Sequence, residues 1–409
     1  MLSDSTIKKI FPYLVFLLFV ANVVGAMTFL GRITITYRYV VYALIDWCCL
    51  SYYCRHYKKL QSNYPFLCMF FNVLLLYVVY SIIKIVLGIP SSIFPWIRFG
   101  ITSSCIFFSS IFIFGEEEIR TSVFKLCWKM LPVILFLSLL FCANELVYSM
   151  SFVLLSMVFY DFLPKFKKRV CWIVLILVVT LSMYQRMDFI TVCLPLCIVF
   201  VYRLLRLTKV RSLRTTITLV FVLPFVLFLL AYSGVFNIFN MESYMSDREI
   251  GKAGTLTTDT RTFLYEESIQ SAYDNNYVLF GRGIGYGYDS RFVAERDGSF
   301  YYVRGLVPQR LSEVGVVNIF TMLGLVGLVL FVLFYRKYSF LGLISNNDLV
   351  KCLSLWVALY WMFSWMSHTL YLPSSEYASL FIVLSLICDE KIRKMSERQI
   401  TNYIKELFK

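Results

Sequence analysis

Long apolar runs, separated by short polar segments, follow one another along most of the chain. Many of these runs approach the ~20 residues that an α-helix needs to cross ~30 Å of hydrocarbon. The pattern predicts an all-α polytopic membrane protein with about twelve transmembrane helices. The predicted spans are residues 10–30, 33–54, 65–88, 94–114, 123–142, 145–163, 170–184, 187–205, 214–234, 311–335, 349–367 and 372–388.

One long polar segment, residues 235–310, interrupts this pattern. It divides the chain into a first group of spans within residues 1–234, the loop itself, a second group within residues 311–388 and a charged tail at residues 389–409. Because a channel or an anchor needs no long structured loop, function is expected in residues 235–310.

The loop contains one predicted helix and a run of spaced glycines. Residues 261–273 fit a short amphipathic helix that lies on the membrane domain, with Asp259 as its N-cap. Its inner face is predicted to carry Tyr265, Ile269 and Ala272. Residues 277–280 fit a short extended apolar run, and the glycines follow at residues 281–287.

The distribution of Lys and Arg predicts the orientation of the chain. With the N-terminus in the cytoplasm, strict alternation of the spans puts every strong basic cluster on that side, since basic loops resist translocation. These clusters are residues 55–59, 165–169, 203–214, 336–337 and 391–409. The loop 235–310 then faces outward. The net charge of +14 therefore reflects topology, and nucleic-acid binding is not expected.

The positions of Cys and His argue against a disulfide framework and a zinc site in the loop. None of the twelve cysteines lies in residues 235–310. The two histidines are predicted on opposite sides of the membrane, with His56 inside and His368 near the outer face. Because a zinc site takes several Cys or His ligands, we expect no metal and no other cofactor.

Two arginines are candidate phosphate ligands. Arg186 lies in a predicted outer turn, and Arg261 lies in the first turn of the loop helix, where a cation opposes the helix dipole. A guanidinium keeps its charge and binds phosphate oxygens through two parallel hydrogen bonds. A plainer interpretation stays open for both arginines, in which each is an interfacial residue that snorkels to headgroups or pairs with an acidic neighbour, Asp188 in the case of Arg186.

The alternation of Gly281, Gly283, Gly285 and Gly287 permits backbone conformations that are closed to other residues. Such a run can expose backbone N–H groups to an anion, and Arg282 lies inside it. The run lacks the strand, turn and helix context of a nucleotide-binding loop. An anion cradle and an ordinary loop both stay open as interpretations.

Glu313 lies where the chain returns to the membrane, beside Ser312. A carboxylate in the first turn of a helix is stabilised by the helix dipole, which is the structural interpretation. The functional interpretation is a general base that takes a proton from a hydroxyl near the outer surface. His368 is a competing base.

In this order, these features resemble the bacterial O-antigen polymerases (Wzy-type) and the related O-antigen ligases. Members carry an Arg in a short outer turn, here Arg186, and a second Arg that opens the loop helix, here Arg261. A Gly-x-Gly run follows, here residues 281–287, and then a Gly-rich apolar segment, here residues 312–327. The resemblance covers roughly residues 170–335.

One difference within this family concerns the segment that returns to the membrane. Ligases commonly carry His-Asn there, whereas this chain has Glu313 and Val314, as in the Ser-Asp/Glu-x-Gly version of polymerases. The resemblance therefore favours a polymerase over a ligase.

The resemblance implies an inverting, metal-independent glycosyltransferase with a GT-C-like architecture in the bacterial cytoplasmic membrane. It would move a growing glycan from undecaprenyl pyrophosphate to a hydroxyl of a new lipid-linked unit, with the bilayer and a chain-length regulator protein as further partners. Arg186 and Arg261 would grip the pyrophosphate, and Glu313 would deprotonate the acceptor. Further contacts with pyrophosphate or sugar would come from Arg282, Arg291, Arg304, Arg310, Tyr286, His368, Gly281, Gly283 and Gly285.

A flippase or transporter of lipid-linked oligosaccharides is the alternative of another class. Transporters usually carry internal repeats and charged residues at the middle of the membrane. This sequence shows no repeat, and its predicted spans carry few charges, chiefly Asp46, Lys84 and Lys129. These observations favour glycosyl transfer over transport.

Overall fold

The computed structural model describes residues 2–26, 32–87, 104–141, 146–182, 196, 210–236, 261–290, 309–366 and 374–408. These residues are mostly helical, as the sequence predicts. Four of their helices are long and apolar enough to cross a membrane, namely Pro65–Lys84, Glu117–Phe141, Val210–Tyr232 and Gly315–Gly342. The total of twelve spans stays a prediction, since the predicted span 187–205 lies outside the described residues except for Leu196.

The first part of the chain forms nine helices within the described residues. They are α1 (Asp4–Ala26), α2 (Arg32–Asn63), α3 (Pro65–Val86), α4 (Ser104–Phe107), α5 (Ser110–Phe114), α6 (Glu117–Phe141), α7 (Leu146–Ser149), α8 (Ser151–Val158) and α9 (Lys165–Ser182), with a 3₁₀ turn at Tyr160–Phe162. The predicted span 145–163 is therefore not one helix. The chain leaves helical geometry at Met150 (φ −96°, ψ 7°) and at Phe159 (φ −92°, ψ 16°).

The second part carries the loop helix and the last helices. They are α10 (Val210–Tyr232), α11 (Thr262–Asp274), α12 (Gly315–Gly342), α13 (Asp348–Ser364), α14 (Ser375–Cys388), α15 (Glu390–Lys394) and α16 (Glu397–Leu407). Two short strands, β1 (Tyr288–Asp289) and β2 (Gln309–Arg310), pair antiparallel, with Tyr288 opposite Arg310. The two paired strands flank residues 291–308, which the structure does not describe.

Helix α14 forms the centre of the packing. Every one of its residues except Glu376 is buried, and it contacts α5, α8, α12 and α13. Helix α13 packs on α10 on one side and on α12 on the other. This arrangement places α10, α12 and α13 side by side below α11.

The start of the chain meets the ends of two other helices. Asp4 pairs with Arg55 at 3.3 Å and lies 3.0 Å from the His56 ring, near the end of α2. Lys8 pairs with Glu118 at the start of α6 at 2.6 Å. The basic cluster at residues 55–59 thus belongs to α2 and not to a loop, and it lies at the same end of the helices as the N-terminus.

The C-terminal helix α16 is strongly amphipathic, and its apolar face is covered by protein. Its Ile400, Ile404 and Leu407 are buried, and it contacts α6 and the 3₁₀ turn. The Phe408 ring packs 5.1 Å from the Phe124 ring, and Arg120 Nε donates to Tyr403 Oη at 3.1 Å. The apolar side of the tail is therefore covered by the protein itself.

Candidate functional site

Helix α11 begins one residue later than the sequence predicts. Its first residue is Thr262, and Arg261 is the N-cap (φ −135°, ψ −26°). The predicted cap, Asp259, lies outside the described residues. Arg261 thus keeps its positive charge at the end of a helix where the dipole favours an anion. This placement suits a residue whose charge is directed to an anionic substrate.

The buried face of α11 differs from the predicted one. Leu264, Ser268, Ser271 and Ala272 are buried, whereas Ile269 is 48% exposed. Two of these buried residues are serines that form hydrogen bonds. A pattern of apolar residues cannot predict such contacts. Ser268 Oγ lies 3.0 Å from Thr321 Oγ1 of α12, and Ser271 Oγ accepts hydrogen bonds from the Tyr277 hydroxyl and the Asp289 amide, at 2.7 and 2.9 Å.

An apolar cavity of about 660 Å³ lies between α10, α11 and the end of α13. Its wall includes Tyr265, whose hydroxyl donates to the carbonyl of Trp365. Burial raises the pKa of Tyr265, and the charge of the neighbouring Arg261 opposes that shift. Tyr265 therefore stays protonated at neutral pH. The full lining is Leu223, Pro224, Leu227, Phe228, Ala231, Tyr232, Thr262, Tyr265, Glu266, Ile269, Gln270, Met362, Trp365 and Met366.

The start of α12 meets the first turn of α11. Leu264 and Val314 belong to one small buried cluster, together with Tyr288 and Val317. Because Arg261 precedes Leu264 by one turn and Glu313 precedes Val314 directly, the structure brings these two candidates to the same corner of the molecule.

Glu313 itself is exposed and lies before the helix. Val314 is the N-cap of α12, so Glu313 does not lie in the first turn, and the dipole explanation of the sequence prediction loses its basis. The segment is fixed by Asn318, which accepts from the Ser312 amide at 2.8 Å and donates to its carbonyl at 2.7 Å. The backbone on either side of an exposed carboxylate is thus held in place.

Helix α12 is broken at Gly324, which has φ 68° and ψ −163°. Beyond the break, the Leu325 amide donates to the Val278 carbonyl at 2.9 Å, and the Val326 amide donates to the Leu279 carbonyl at 3.1 Å. These amides would otherwise lack acceptors, which is costly at membrane depth. The loop therefore completes the hydrogen bonding of the broken helix.

The glycine run in turn donates hydrogen bonds to the broken helix. The Arg282 amide donates to the Thr321 carbonyl at 2.7 Å, and the Gly283 amide donates to the Met322 carbonyl at 3.0 Å. In an unbroken helix, these carbonyls would accept from residues 325 and 326. The loop and the helix thus exchange hydrogen-bond partners. No local pattern in the sequence predicts this long-range pairing.

Two glycines are required by this close approach. A Cβ on Gly281 (φ 71°) would lie 2.4 Å from the Met322 carbonyl, and a Cβ on Gly324 would lie 2.3 Å from the Leu279 carbonyl oxygen. The Gly281 amide donates to Tyr277 at 2.8 Å, so the predicted extended run 277–280 is in fact a turn.

The structure corrects the anion-cradle interpretation of this run. Its amides at residues 281–283 donate to backbone carbonyls, and the Ile284 amide donates to Ser81 Oγ of α3 at 2.6 Å. Gly285 has φ 90°, a conformation in which glycine is favoured. The glycines dock the loop on the membrane domain, and these four amides are not directed to a ligand.

Arg282 and Tyr286 also have structural surroundings. Arg282 Nη1 lies 2.6 Å from Asp289 Oδ1 and donates to the Gly287 carbonyl at 3.1 Å. Tyr286 is only 2% exposed, and Tyr288 is fully buried, so neither ring is placed to stack on a sugar at the surface. The charge of Arg282 is neutralised within the loop.

A lysine of α3 lies beside the glycine run. Lys84, at the end of α3, donates from Nζ to the Arg282 carbonyl at 2.8 Å. The same helix contributes Tyr77, whose hydroxyl donates to the Leu323 carbonyl at 2.9 Å. In the sequence, this position is marked by a charged residue within an otherwise apolar span, which is uncommon unless the residue has a specific partner or role.

The remaining predicted site residues lie where the structure gives no side chains. Arg186, Arg291, Arg304 and His368 lie outside the described residues, and of Arg310 only the backbone is described, in β2. Across the described part of the chain, no group of three or more His, Cys, Asp or Glu side chains could hold a metal ion.

Comparison with known protein families finds a match over part of the chain. Residues 171–332 match the family model described as O-antigen ligase. The match fits an assignment of this segment to the O-antigen polymerase/ligase superfamily. The matched segment includes Arg186, Arg261, the glycine run and Glu313, and it nearly coincides with the range 170–335 predicted by resemblance. No curated protein and no solved structure matches the chain.

Proposed function

We propose that this protein is a polymerase of lipid-linked oligosaccharide repeat units at the outer face of the bacterial cytoplasmic membrane. The observation that supports this proposal is that the start of α11, which carries Arg261, packs on the segment that carries Glu313, and that an apolar cavity borders the first turn of α11 within the matched segment. A cation, a carboxylate and an apolar wall are the groups that a polyprenyl pyrophosphate donor and a sugar hydroxyl require.

The reaction follows from the charges of these groups. The acceptor hydroxyl oxygen attacks the anomeric carbon as its proton passes to the Glu313 carboxylate. The bond from that carbon to the pyrophosphate oxygen breaks, and undecaprenyl pyrophosphate leaves with the electron pair. Attack from the face opposite the leaving group inverts the anomeric centre. Arg261, together with Arg186, stabilises the charge that develops on the pyrophosphate.

The apolar cavity suits the polyprenyl chain of the donor. Its wall is formed by α10 and α13 on the membrane side and by α11 on the loop side, so that a lipid chain in it would carry its pyrophosphate toward the α11 N-terminus. Burial of that chain offsets the loss of its freedom, at about 0.8 kcal/mol for each buried CH₂ group.

The choice of polymerase over ligase rests on residues 312–315. The family description is equally consistent with a ligase, which would transfer the finished glycan to another acceptor. Ser312-Glu-Val-Gly resembles the version of this segment found in polymerases, and the hydrogen bonds between Ser312 and Asn318 fix the backbone beside the exposed Glu313.

The surface glycans of a deletion strain test this choice. Loss of long chains, with a single capped repeat unit retained, is expected of a polymerase. Loss of both indicates a ligase or a flippase and overturns the proposal. Purified protein with a lipid-linked repeat unit then separates a polymerase from both, because neither a ligase nor a flippase lengthens the glycan.

The proposed orientation places the termini in the cytoplasm and residues 235–310 outside. Cysteines introduced at Ser246 and Ser299 should then react with a membrane-impermeant thiol reagent in intact cells, and a cysteine at Ser212 should not. Labelling at position 212 from outside would reverse the orientation and move the corner to the wrong compartment.

A further inference from the structure

The turn that precedes the glycine run presents two apolar side chains at the surface. Leu279 and Phe280 are 59% and 62% exposed. The backbone beside them is nevertheless fixed on α12, because the carbonyls of Val278 and Leu279 accept from the amides of Leu325 and Val326 at 2.9 and 3.1 Å. The turn therefore combines satisfied backbone groups with exposed apolar side chains.

The turn attaches to α12 inside a segment that is long enough to cross a membrane. Helix α12 has 28 residues, which is about 42 Å of helix against ~30 Å of hydrocarbon. The break at Gly324 lies about 14 Å from the first residue of α12. The break thus lies within the hydrocarbon even if the whole excess of about 12 Å projects at that end. Arg336 and Lys337, both exposed near the opposite end, place part of the excess there.

A second candidate span contacts the same part of the loop. Helix α3 is apolar and long enough to cross a membrane over Pro65–Lys84. The Tyr77 hydroxyl donates to the Leu323 carbonyl at 2.9 Å, and Ser81 Oγ accepts from the Ile284 amide at 2.6 Å. Both contacts lie inside this span, seven and three residues before its end. Two helices therefore place the turn and the glycine run at membrane depth.

The surroundings of the turn meet the condition that hydrocarbon sets for irregular backbone. Such backbone is tolerated where it is buried in protein, because its polar groups find no water in the bilayer. Gly281 and residues 283–287 are buried, and the side chains that the turn exposes are apolar. They adjoin an exposed apolar face of α12, which consists of Leu325, Val326, Val329 and Leu333. The apolar surface of the turn thus continues that of a membrane span.

We propose that residues 277–280 form a re-entrant turn that inserts into the bilayer, where Leu279 and Phe280 contact the acyl chains of membrane lipids. This part of the loop 235–310 then belongs to the membrane domain, although the polar character of the loop as a whole predicts an aqueous location. The insertion anchors the loop at the membrane surface. It does not depend on the proposed polymerase function.

Photo-crosslinking of the full-length protein tests the proposal, in nanodiscs of dioleoyl phosphatidylethanolamine and dioleoyl phosphatidylglycerol. Benzoylphenylalanine in place of Phe280 should form adducts with the lipid acyl chains, detected by mass spectrometry. The same replacement at Val329 is the positive control, and that at Asp274, an exposed carboxylate at the end of α11, should give few adducts.

Three outcomes of this measurement overturn the proposal. The first is lipid adducts at position 329 without adducts at position 280. The second is crosslinking of position 280 to a second copy of the chain, since the turn would then be covered by protein. The third is an equal yield of lipid adducts at positions 274 and 280, since the turn would then lie no deeper than the end of α11.

A charged substitution tests the same placement by its effect on stability. Phe280→Asp should lower the midpoint of thermal unfolding in these nanodiscs by several degrees, because a carboxylate disfavours hydrocarbon. Phe280→Leu keeps an apolar side chain and should retain the midpoint. A turn in water would tolerate both changes alike, so equal midpoints overturn the proposal. If Phe280→Asp does not accumulate, the crosslinking still decides, and neither measurement requires glycosyl transfer.

Discussion

The two ends of residues 261–290, the part of the loop that the structure describes, each carry an arginine and differ in what their residues contact. At the glycine run, Arg282 is paired with Asp289, and the amides at residues 281–284 complete the hydrogen bonding of α3 and α12 or of the loop itself. At the start of α11, Thr262 and Tyr265 line an apolar cavity, and Leu264 packs on Val314, the residue after the exposed Glu313. The first end holds the loop, and the second is where we propose that a substrate binds.

This comparison shows that an arginine in a glycine-rich loop is not evidence of a phosphate site by itself. An internal carboxylate seven residues away satisfies Arg282, and the same loop leaves the helix start around Arg261 beside a cavity. The difference lies in contacts between distant segments. Four substitutions, in order of decreasing effect, test it.

The largest effect is expected for Glu313→Gln. This change keeps shape and hydrogen bonding but removes basicity, so turnover should fall by roughly 10²–10⁴ while the lipid-linked donor still binds. The measurement is glycan extension by purified protein. Asp274→Asn, which changes an exposed carboxylate at the far end of α11, is the control and should retain normal turnover. Near-normal rates from Glu313→Gln would move the search to His368, Asp259 or Glu295.

The second-largest effect is expected for substitution of Arg261, which is compared with substitution of Arg282. Arg261→Ala should lower turnover by roughly 10²–10³, the usual loss when one group that stabilises developing charge is removed. Arg261→Lys should not restore it, because Lys lacks the two-pronged geometry. Arg282→Ala removes the ion pair with Asp289 and should act mainly on stability. Equal loss of turnover in both Ala variants at unchanged stability would abolish the proposed difference.

A smaller effect, on stability, is expected for Gly324→Ala. The positive φ costs about 1–2 kcal/mol with a side chain, and the clash with the Leu279 carbonyl adds to it. Gly234 has a similar φ of 73° but nothing within 4 Å of an added Cβ, so Gly234→Ala isolates the conformational cost. Thermal unfolding in nanodiscs should show the larger loss for Gly324→Ala. Equal losses would mean that the loop does not dock at the break.

The smallest effect is expected for Ser268→Ala. It removes the hydrogen bond to Thr321 that ties α11 to α12, worth about 0.5–1.5 kcal/mol. Turnover should change little, because Arg261 remains at the helix start. Ser233→Ala, an exposed serine after α10, is the control for stability. A large loss of turnover at normal stability would show that the position of α11 is set chiefly by this contact.

Local patterns sufficed for several features. The spacing at residues 261–273 predicted a helix that the structure places at Thr262–Asp274. The order of the motifs predicted the family range that the comparison confirms at residues 171–332. Of the predicted inner face of α11, Ala272 is buried and Tyr265 is partly buried, but Ile269 is exposed. The burial of Ser268 and Ser271 was missed, because they are polar residues whose partners Thr321 and Asp289 lie 53 and 18 positions away.

The sequence by itself determined that this chain lies in a membrane, where its large loop interrupts the helices, and which family its matched segment resembles. These properties follow from hydropathy and local spacing, which act along the chain. The tertiary structure decided which charged groups are neutralised, that α12 breaks to pair with the loop, and that Lys84 faces the glycine run. These properties depend on contacts between segments far apart in sequence, because a backbone group or charge is satisfied by whichever partner the fold brings near it.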